Sequence, residues 1–163
     1  MLQHGGLCWY GSVIAGIISG IIYLRKKKVA IFKTVDLIAP YVALAQAIGR
    51  IGCLLNGCCY GRVSQWGLYF KIHNSVLIPA QLYSSMALIL IFIFLRTLQT
   101  KPHKEGQVFF CYLLLYSIKR FFLEFFRADN QIILFNLTLF QIISLAMLAI
   151  AAIGLVFIKN KKA

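Results

Sequence analysis

The sequence predicts an all-α integral membrane protein, a bundle of about five transmembrane helices with its N-terminus outside and its C-terminus cytoplasmic. Three observations predict it. Of 163 residues, 61% are hydrophobic and the mean hydropathy is +0.82, a composition of membrane proteins rather than of soluble globular domains. Five stretches, about 7–24, 36–56, 80–97, 107–127 and 134–158, approach the roughly 20 residues that a helix needs to cross a hydrocarbon core. The basic residues then sit where topology uses them. Eleven of the 17 Lys and Arg fall in three clusters: Arg25 to Lys28 with Lys33; Arg96, Lys101 and Lys104; and Lys159, Lys161 and Lys162. The positive-inside rule puts all three clusters on the cytoplasmic side, and an odd number of spans makes that self-consistent.

The same clustering argues against a nucleic-acid partner, although the formal charge is +13 and the only acids are Asp36, Glu105, Glu124 and Asp129. A cleaved signal peptide is not expected either, because the first apolar run precedes its basic cluster and further runs follow. Five cysteines make an odd count and predict no disulfide framework. With no repeat, low-complexity segment or linker, residues 1–163 read as a single membrane domain.

Span one carries Ser12, Gly16 and Gly20 at four-residue intervals, a small-residue stripe that predicts close packing by another helix. Span two begins near Asp36. Arg50 lies 14 residues on, which at about 1.5 Å per residue is roughly 21 Å into a core about 30 Å thick. Residues 57–79 form the extracytoplasmic segment, whose stretch 62–79 is too polar to span and is sized for a short hairpin. Span four begins near Gln107 and runs the same way as span two, so Arg120, 13 residues on, reaches about 20 Å by the same rise. Both arginines are thus expected at one depth, in the outer leaflet, with His4, Gly5 and Gly6 at that outer surface.

Tyr116, Arg120, Glu124 and Arg127 are spaced four, four and three, which predicts one shared helical face. Phe121, Phe122, Phe125 and Phe126 are left for lipid or neighbouring helices. By the same arithmetic Arg50, Cys53 and Gly57 share a face of span two. An arginine at mid-membrane costs about 2.5–3.5 kcal/mol on insertion scales, so such residues pair or line a wet cavity. Glu124 can neutralise one arginine and lock helices together. Arg50, Lys119, Arg120 and Arg127 nevertheless outnumber it, and the excess calls for an external anion. In an outer leaflet that anion is a phospholipid phosphate, which arginine clasps through two parallel hydrogen bonds.

Several motifs recur in a fixed order: His4-Gly5-Gly6-Leu7; Asp36 with Ala39-Pro40; Gly49-Arg50-Ile51-Gly52 leading to Asn56-Gly57 and Gly61-Arg62; Pro79 with Gln81-Leu82-Tyr83; Tyr116 with Arg120; Glu124-Phe125-Phe126-Arg127; and Gln141 with Ser144. Together they resemble the prolipoprotein diacylglyceryl transferase family along nearly the whole chain. The resemblance implies a multi-span enzyme of the bacterial cytoplasmic (inner) membrane that moves the diacylglyceryl group of phosphatidylglycerol to a thiol. The acceptor it implies is the lipobox cysteine of a prolipoprotein signal peptide, and the products are a thioether and glycerol phosphate. By the same resemblance Arg50 and Arg120 match the two key arginines, His4 the essential histidine and Tyr116 the functional tyrosine. Gly5, Gly6, Asn56, Gly57, Gly61, Gln81, Tyr83, Glu124 and Arg127 fall to substrate binding. No cofactor and no metal are implied. The roles suit the chemistry: a departing phosphate needs fixed positive partners, and a histidine is a natural acceptor for the thiol's proton.

The sequence also departs from the family. Cys53 stands where the motif has asparagine, Cys58 where it has glutamate, Ile78 where it has histidine, and Ser84 where a glutamate follows the tyrosine. The family's first two spans and most of its extracytoplasmic head have no counterpart, which leaves room for partner helices or an oligomer. For Cys53, Cys58 and Cys59 the expectation is small apolar fillers beside the arginines. A soft-metal site, a vicinal disulfide and a lipid relay through Cys58 are the alternatives; the Cys-x4-Cys-Cys spacing lacks a two-residue gap and offers only His73 as a fourth ligand. The competing functional readings are a non-catalytic phospholipid-binding or assembly protein and a related transferase with another acceptor. A transporter or channel subunit has little support, for want of a discontinuous helix pair or an acidic coupling site beyond Glu124.

Overall fold

The computed structural model describes the backbone of residues 6–127, 132–134 and 137–160, and the side chains of 15–65, 67–127 and 137–160. His4 and Gly5 lie outside the described residues. Five helices are present: α1 Gly6–Lys26, α2 Ile31–Leu55, α3 Ala80–Gln99, α4 Gln107–Glu124 and α5 Leu139–Asn160. Two short hairpins join them, β1 Val63–Phe70 with β2 Ser75–Leu77, and β3 Ile132–Leu134 with β4 Leu137–Thr138. Among the described residues, three helices, α2, α3 and α5, are long and apolar enough to cross a membrane. The protein is therefore a mostly helical membrane protein with two small antiparallel sheets.

The core forms where α2 lies along α3 and α4 along α5. On α2 the buried positions Ala39, Ala43 and Ala47 recur every four residues. Small side chains at that spacing let a neighbouring backbone come close. Ser85 of α3 uses that proximity, donating its hydroxyl to the Ala47 carbonyl at 2.9 Å. Leu88, Ile91 and Leu95 continue the buried face of α3, and Val108 and Tyr112 of α4 close the cluster against Ala39 and Ala43.

One end of this core is tied by Asp36. Pro40 sits inside α2; lacking an N–H, it leaves the carbonyl four residues back, that of Asp36, without its helical donor. Gln99 at the end of α3 supplies one, its Nε2 donating to Asp36 O at 3.1 Å and to Leu37 O at 3.3 Å. The Asp36 carboxylate, itself buried, accepts the N–H of Gly106 at 2.6 Å and of Phe109 at 2.7 Å. These are orphan donors of the first turn of α4, where a negative charge also meets the positive end of the helix dipole. One residue thereby joins three helices.

Several expectations are corrected. Span four, drawn to 127, ends as a helix at Glu124. Its last two turns hold Lys119, Arg120 and Glu124, too many charges for the apolar class that α2, α3 and α5 meet. Arg127 therefore leaves the helical face of Tyr116, Arg120 and Glu124 and forms an antiparallel bridge with Gly61. Gly57 leaves the face of Arg50 and Cys53 for a similar reason: α2 stops at Leu55, Asn56 caps it, and Gly57 turns at φ +66°. The span drawn from 134 begins as a helix at Leu139, after the second hairpin, which the sequence reading did not foresee. Of the small-residue stripe of α1, Gly16 and Gly20 face open space. A Cβ at Gly16 or Gly20 meets nothing within 4 Å, and the described side chains of α1 stand mostly exposed.

Candidate functional site

At the other end of the core, α2, α3, α4 and the start of α5 bring their polar residues together. Arg120 on α4 meets Glu124 one turn on, Nη2 to Oε2 at 3.4 Å, and its guanidinium lies 4.6 Å from the centre of the Phe140 ring. Glu124 is buried and its Oε1 accepts the Thr138 hydroxyl at 2.8 Å. Thr138 in turn caps α5: its Oγ1 accepts the Gln141 N–H at 3.3 Å, and Gln141 Oε1 accepts the Thr138 N–H at 2.9 Å. This is a reciprocal capping box, Thr-x-x-Gln, at the helix start. Arg120 is thus held through a carboxylate that is itself fixed by a helix cap.

Arg50, on α2, is half-buried and lies within electrostatic reach of both Lys119 and Arg120. The two arginines placed at one depth by counting helical rise do come together. No carboxylate pairs with Arg50 among the described residues, where the ion pair is that of Arg120 with Glu124. The charge of Arg127 also acts on Arg120, although Arg127 sits past the helix end. Arg50, Lys119 and Arg120 thus act on one another, and of these Arg120 is the one paired with Glu124.

Lys119 is the residue that sequence reasoning counted but did not select. Its side chain is buried, its Nζ donates to Ser84 Oγ at 3.3 Å, and it lies 4.4 Å from the centre of the Tyr116 ring. Its spacing of three from Tyr116 carried the signal, since i and i+3 share a helical face. Ser84, noted only as a departure from the family motif, is its partner on α3. Tyr116 is half-buried and packs on Tyr112, 5.8 Å between ring centres, and Tyr112 donates its hydroxyl to Gln46 of α2 at 3.0 Å.

The loop after α2 completes the site. Gly57 and Cys59, at φ +66° and +61°, reverse the chain so that Cys58 and Cys59 fold back toward Cys53. The sulfurs of the three cysteines all lie within 4.8 Å of one another, and all three side chains are half-buried free thiols. Cys53 is also within electrostatic reach of Arg50. Gln81 at the start of α3 is 1% exposed and donates its Nε2 to the Cys58 carbonyl at 2.6 Å. Its Oε1 has no hydrogen-bond partner among the described residues. His73, the fourth ligand considered from sequence, is engaged elsewhere, its Nε2 2.9 Å from the Gly57 carbonyl and its ring centre 4.1 Å from that of Tyr60, the two rings tilted at 52°.

The remaining residues named from the sequence take different places. Gly61 is buried where only a hydrogen fits: a Cβ would stand 2.6 Å from the Phe126 carbonyl and 2.8 Å from Ile78 Cβ. Its N–H donates to the Ile78 carbonyl at 2.8 Å, joining the two ends of the first hairpin, and the next N–H, that of Arg62, donates to the Phe126 carbonyl at 2.9 Å, which seats the hairpin against the chain just past α4. Asn56 is exposed as the cap of α2, Gly6 begins α1, and Tyr83 stands 43% exposed on α3 among residues facing away from the cluster. A cavity of about 720 Å³, lined by His103, Lys104, Cys111 and Lys159 among others, lies at the Asp36 end of the bundle and is separate from this cluster.

A buried cluster with this excess of positive charge is suited to hold an anion such as a phosphate and to stabilise charge that grows on it. Comparison with known proteins agrees with that chemistry. Phosphatidylglycerol-prolipoprotein diacylglyceryl transferases from Clostridium tetani, Enterococcus faecalis and Clostridioides difficile are 40%, 35% and 37% identical to it over 86%, 98% and 98% of its length. The chain spans 59%, 62% and 64% of the length of those relatives. The sequence pattern of the prolipoprotein diacylglyceryl transferase family matches residues 1–157, and the chain belongs to that family.

Proposed function

We propose that this chain is a phospholipid-dependent transferase of the bacterial cytoplasmic membrane, moving the diacylglyceryl group of phosphatidylglycerol to the lipobox cysteine of a prolipoprotein and releasing glycerol phosphate. The observation that carries the reading is the group of half-buried Arg50, buried Lys119 and half-buried Arg120, in mutual electrostatic reach, with Glu124 paired to Arg120. In the reaction a sulfur–carbon bond forms at the glycerol carbon as the carbon–oxygen bond to phosphate breaks. The thiol's proton passes to a base, and negative charge grows on the phosphate. Fixed cations in a water-poor site stabilise that charge, at about 3–4 kcal/mol for a well-placed group.

In this reading Arg50 and Arg120 clasp the phosphate and Glu124 positions Arg120. His4 is the base for the thiol, and Tyr116, held under Lys119, is a second hydrogen-bonding group at the reacting centre. Gln81 offers its remaining acceptor to the substrate, while Gly57 and Gly61 shape the loop that faces it. All five helices cross the membrane as one domain, α1 beginning outside and α5 ending in the cytoplasm. The basic clusters at Arg25 to Lys28, Arg96 to Lys104 and Lys159 to Lys162 support that orientation.

The test is transfer of labelled diacylglyceryl from phosphatidylglycerol to a lipobox peptide by the purified protein in detergent. Label on the peptide's cysteine that disappears with Arg120→Ala supports the transferase. The Arg120–Glu124 ion pair favours one rival, a binding protein in which the cluster only holds helices and lipid. Lipid binding that survives His4→Ala, with no product from the unaltered chain, would decide for that rival.

A further inference from the structure

Three cysteines within seven residues, folded so that their thiols converge beside a cationic cluster, are not explained by phosphate binding. We propose that Cys53, Cys58 and Cys59 bind a thiophilic d10 metal ion, zinc(II) being the probe, through three thiolates, and that the fourth coordination position takes the thiol of the incoming acceptor peptide. The second half of this proposal rests on the transferase reading.

Geometry comes first. Zinc–sulfur bonds of about 2.3 Å at tetrahedral angles separate two sulfurs by about 3.8 Å. The three sulfurs already lie within 4.8 Å of one another, so side-chain rotation and a movement of about 1 Å close the set. The turns at Gly57 and Cys59 and the Gln81 bond to the Cys58 carbonyl fix the backbone that presents them. Loss of the Cys58 proton removes the weak contact from Cys58 Sγ to the Cys53 carbonyl, 3.7 Å. All three thiols are free to coordinate.

Charge comes second. Three thiolates on a dipositive ion carry one net negative charge, and three protons leave to solvent as it forms. The Arg50 charge acts on Cys53, and Arg50 lies within reach of Lys119 and Arg120, so cations are at hand to balance one net negative charge. The same field stabilises a fourth thiolate.

Chemistry comes third. Zinc with three protein ligands keeps a position open for water or substrate, and a thiol that coordinates there gives up its proton more readily, His4 of the proposed transferase being the base that takes it. The proposed transfer needs a thiolate next to a phosphate held by arginine. The trithiolate site lies beside Arg50 and supplies the first of these where the arginines supply the second.

Cobalt(II) titrated into the purified full chain in detergent reports the site by its sulfur-to-cobalt charge-transfer absorption. The expected result is one ion per chain, displaced by zinc, with affinity falling at least 100-fold in Cys58→Ser and unchanged in Cys111→Ser, whose cysteine lies on α4 outside the cluster. In the unaltered chain zinc should also protect Cys53, Cys58 and Cys59 from maleimide, a readout that needs no variant to fold. A peptide carrying the lipobox cysteine should intensify the absorption, and its serine counterpart should not. Absence of a cobalt–thiolate band, or a band indifferent to Cys58→Ser, overturns the metal site; a band indifferent to the cysteine peptide overturns the open position. Full transfer by chelator-treated protein overturns the inference and leaves the transferase standing. Cobalt bound by the three thiols in a chain that never transfers lipid does the reverse.

Discussion

The two ends of the helical core both bury charge and treat it in opposite ways. At one end Asp36 is enclosed: two backbone N–H groups satisfy its carboxylate and Gln99 satisfies its carbonyl. At the other, Arg120 pairs with the carboxylate of Glu124 and Lys119 donates to the hydroxyl of Ser84, while Arg50 lies within electrostatic reach of both cations. A buried charge whose partners all belong to the protein holds the fold together. A buried cluster left with an excess of one sign is arranged for a ligand, because desolvated charge is costly unless something answers it.

That contrast can be broken or sharpened by substitution. The largest effect is expected at the cationic end. Arg120→Ala should lower diacylglyceryl transfer by about 100- to 1,000-fold, the range for removing one group that stabilises developing charge, while the melting temperature in detergent changes little. Asp36→Ala should reverse the pattern. It leaves two buried N–H groups without an acceptor, at about 3 kcal/mol in stability, read as a lower unfolding midpoint with transfer per folded molecule retained. Gly61→Ala is expected to fall between the ends, costing about 2 kcal/mol because the new methyl meets backbone that must move. Its readout is loss of both midpoint and transfer, since Gly61 bridges to Arg127. The smallest effect is expected at Gly16. With nothing within 4 Å of a new Cβ, Gly16→Ala should leave the midpoint in place or raise it slightly through helix propensity. A marked loss there would mean that another helix covers α1 after all.

The cationic end was the more legible of the two in the sequence. Helical rise is regular, so counting from Asp36 to Arg50 and from Gln107 to Arg120 is enough to expect two arginines near each other, and they lie within electrostatic reach. Asp36 could be quoted as part of a motif, but its partner Gly106 lies 70 residues away, and no local pattern links them. Where the helices end was harder to read. Arg127 and Gly57 both fit a helical face by spacing, yet a turn intervenes before each, because spacing says nothing of where backbone hydrogen bonding stops. Thr138-x-x-Gln141 is a start signal that would have moved the last helix from 134 to 139. The α1 stripe shows the opposite limit: small residues permit close packing, and permission does not supply a partner. The three cysteines were visible as a spacing, and only the turn at Gly57 and Cys59 makes that spacing a cluster.

The measurement that bears most directly on the contrast is binding of phosphatidylglycerol to the purified protein, followed by displacement of a labelled lipid. The unaltered chain, Asp36→Ala and the double variant Arg50→Ala, Arg120→Ala should be compared at one temperature below all their midpoints. If the cationic end is built for a phosphate, the double variant should bind at least 10-fold more weakly and Asp36→Ala should bind as the unaltered chain does. Equal affinity in all three would contradict the account, and the arginines would then be, like Asp36, charges that only hold helices together.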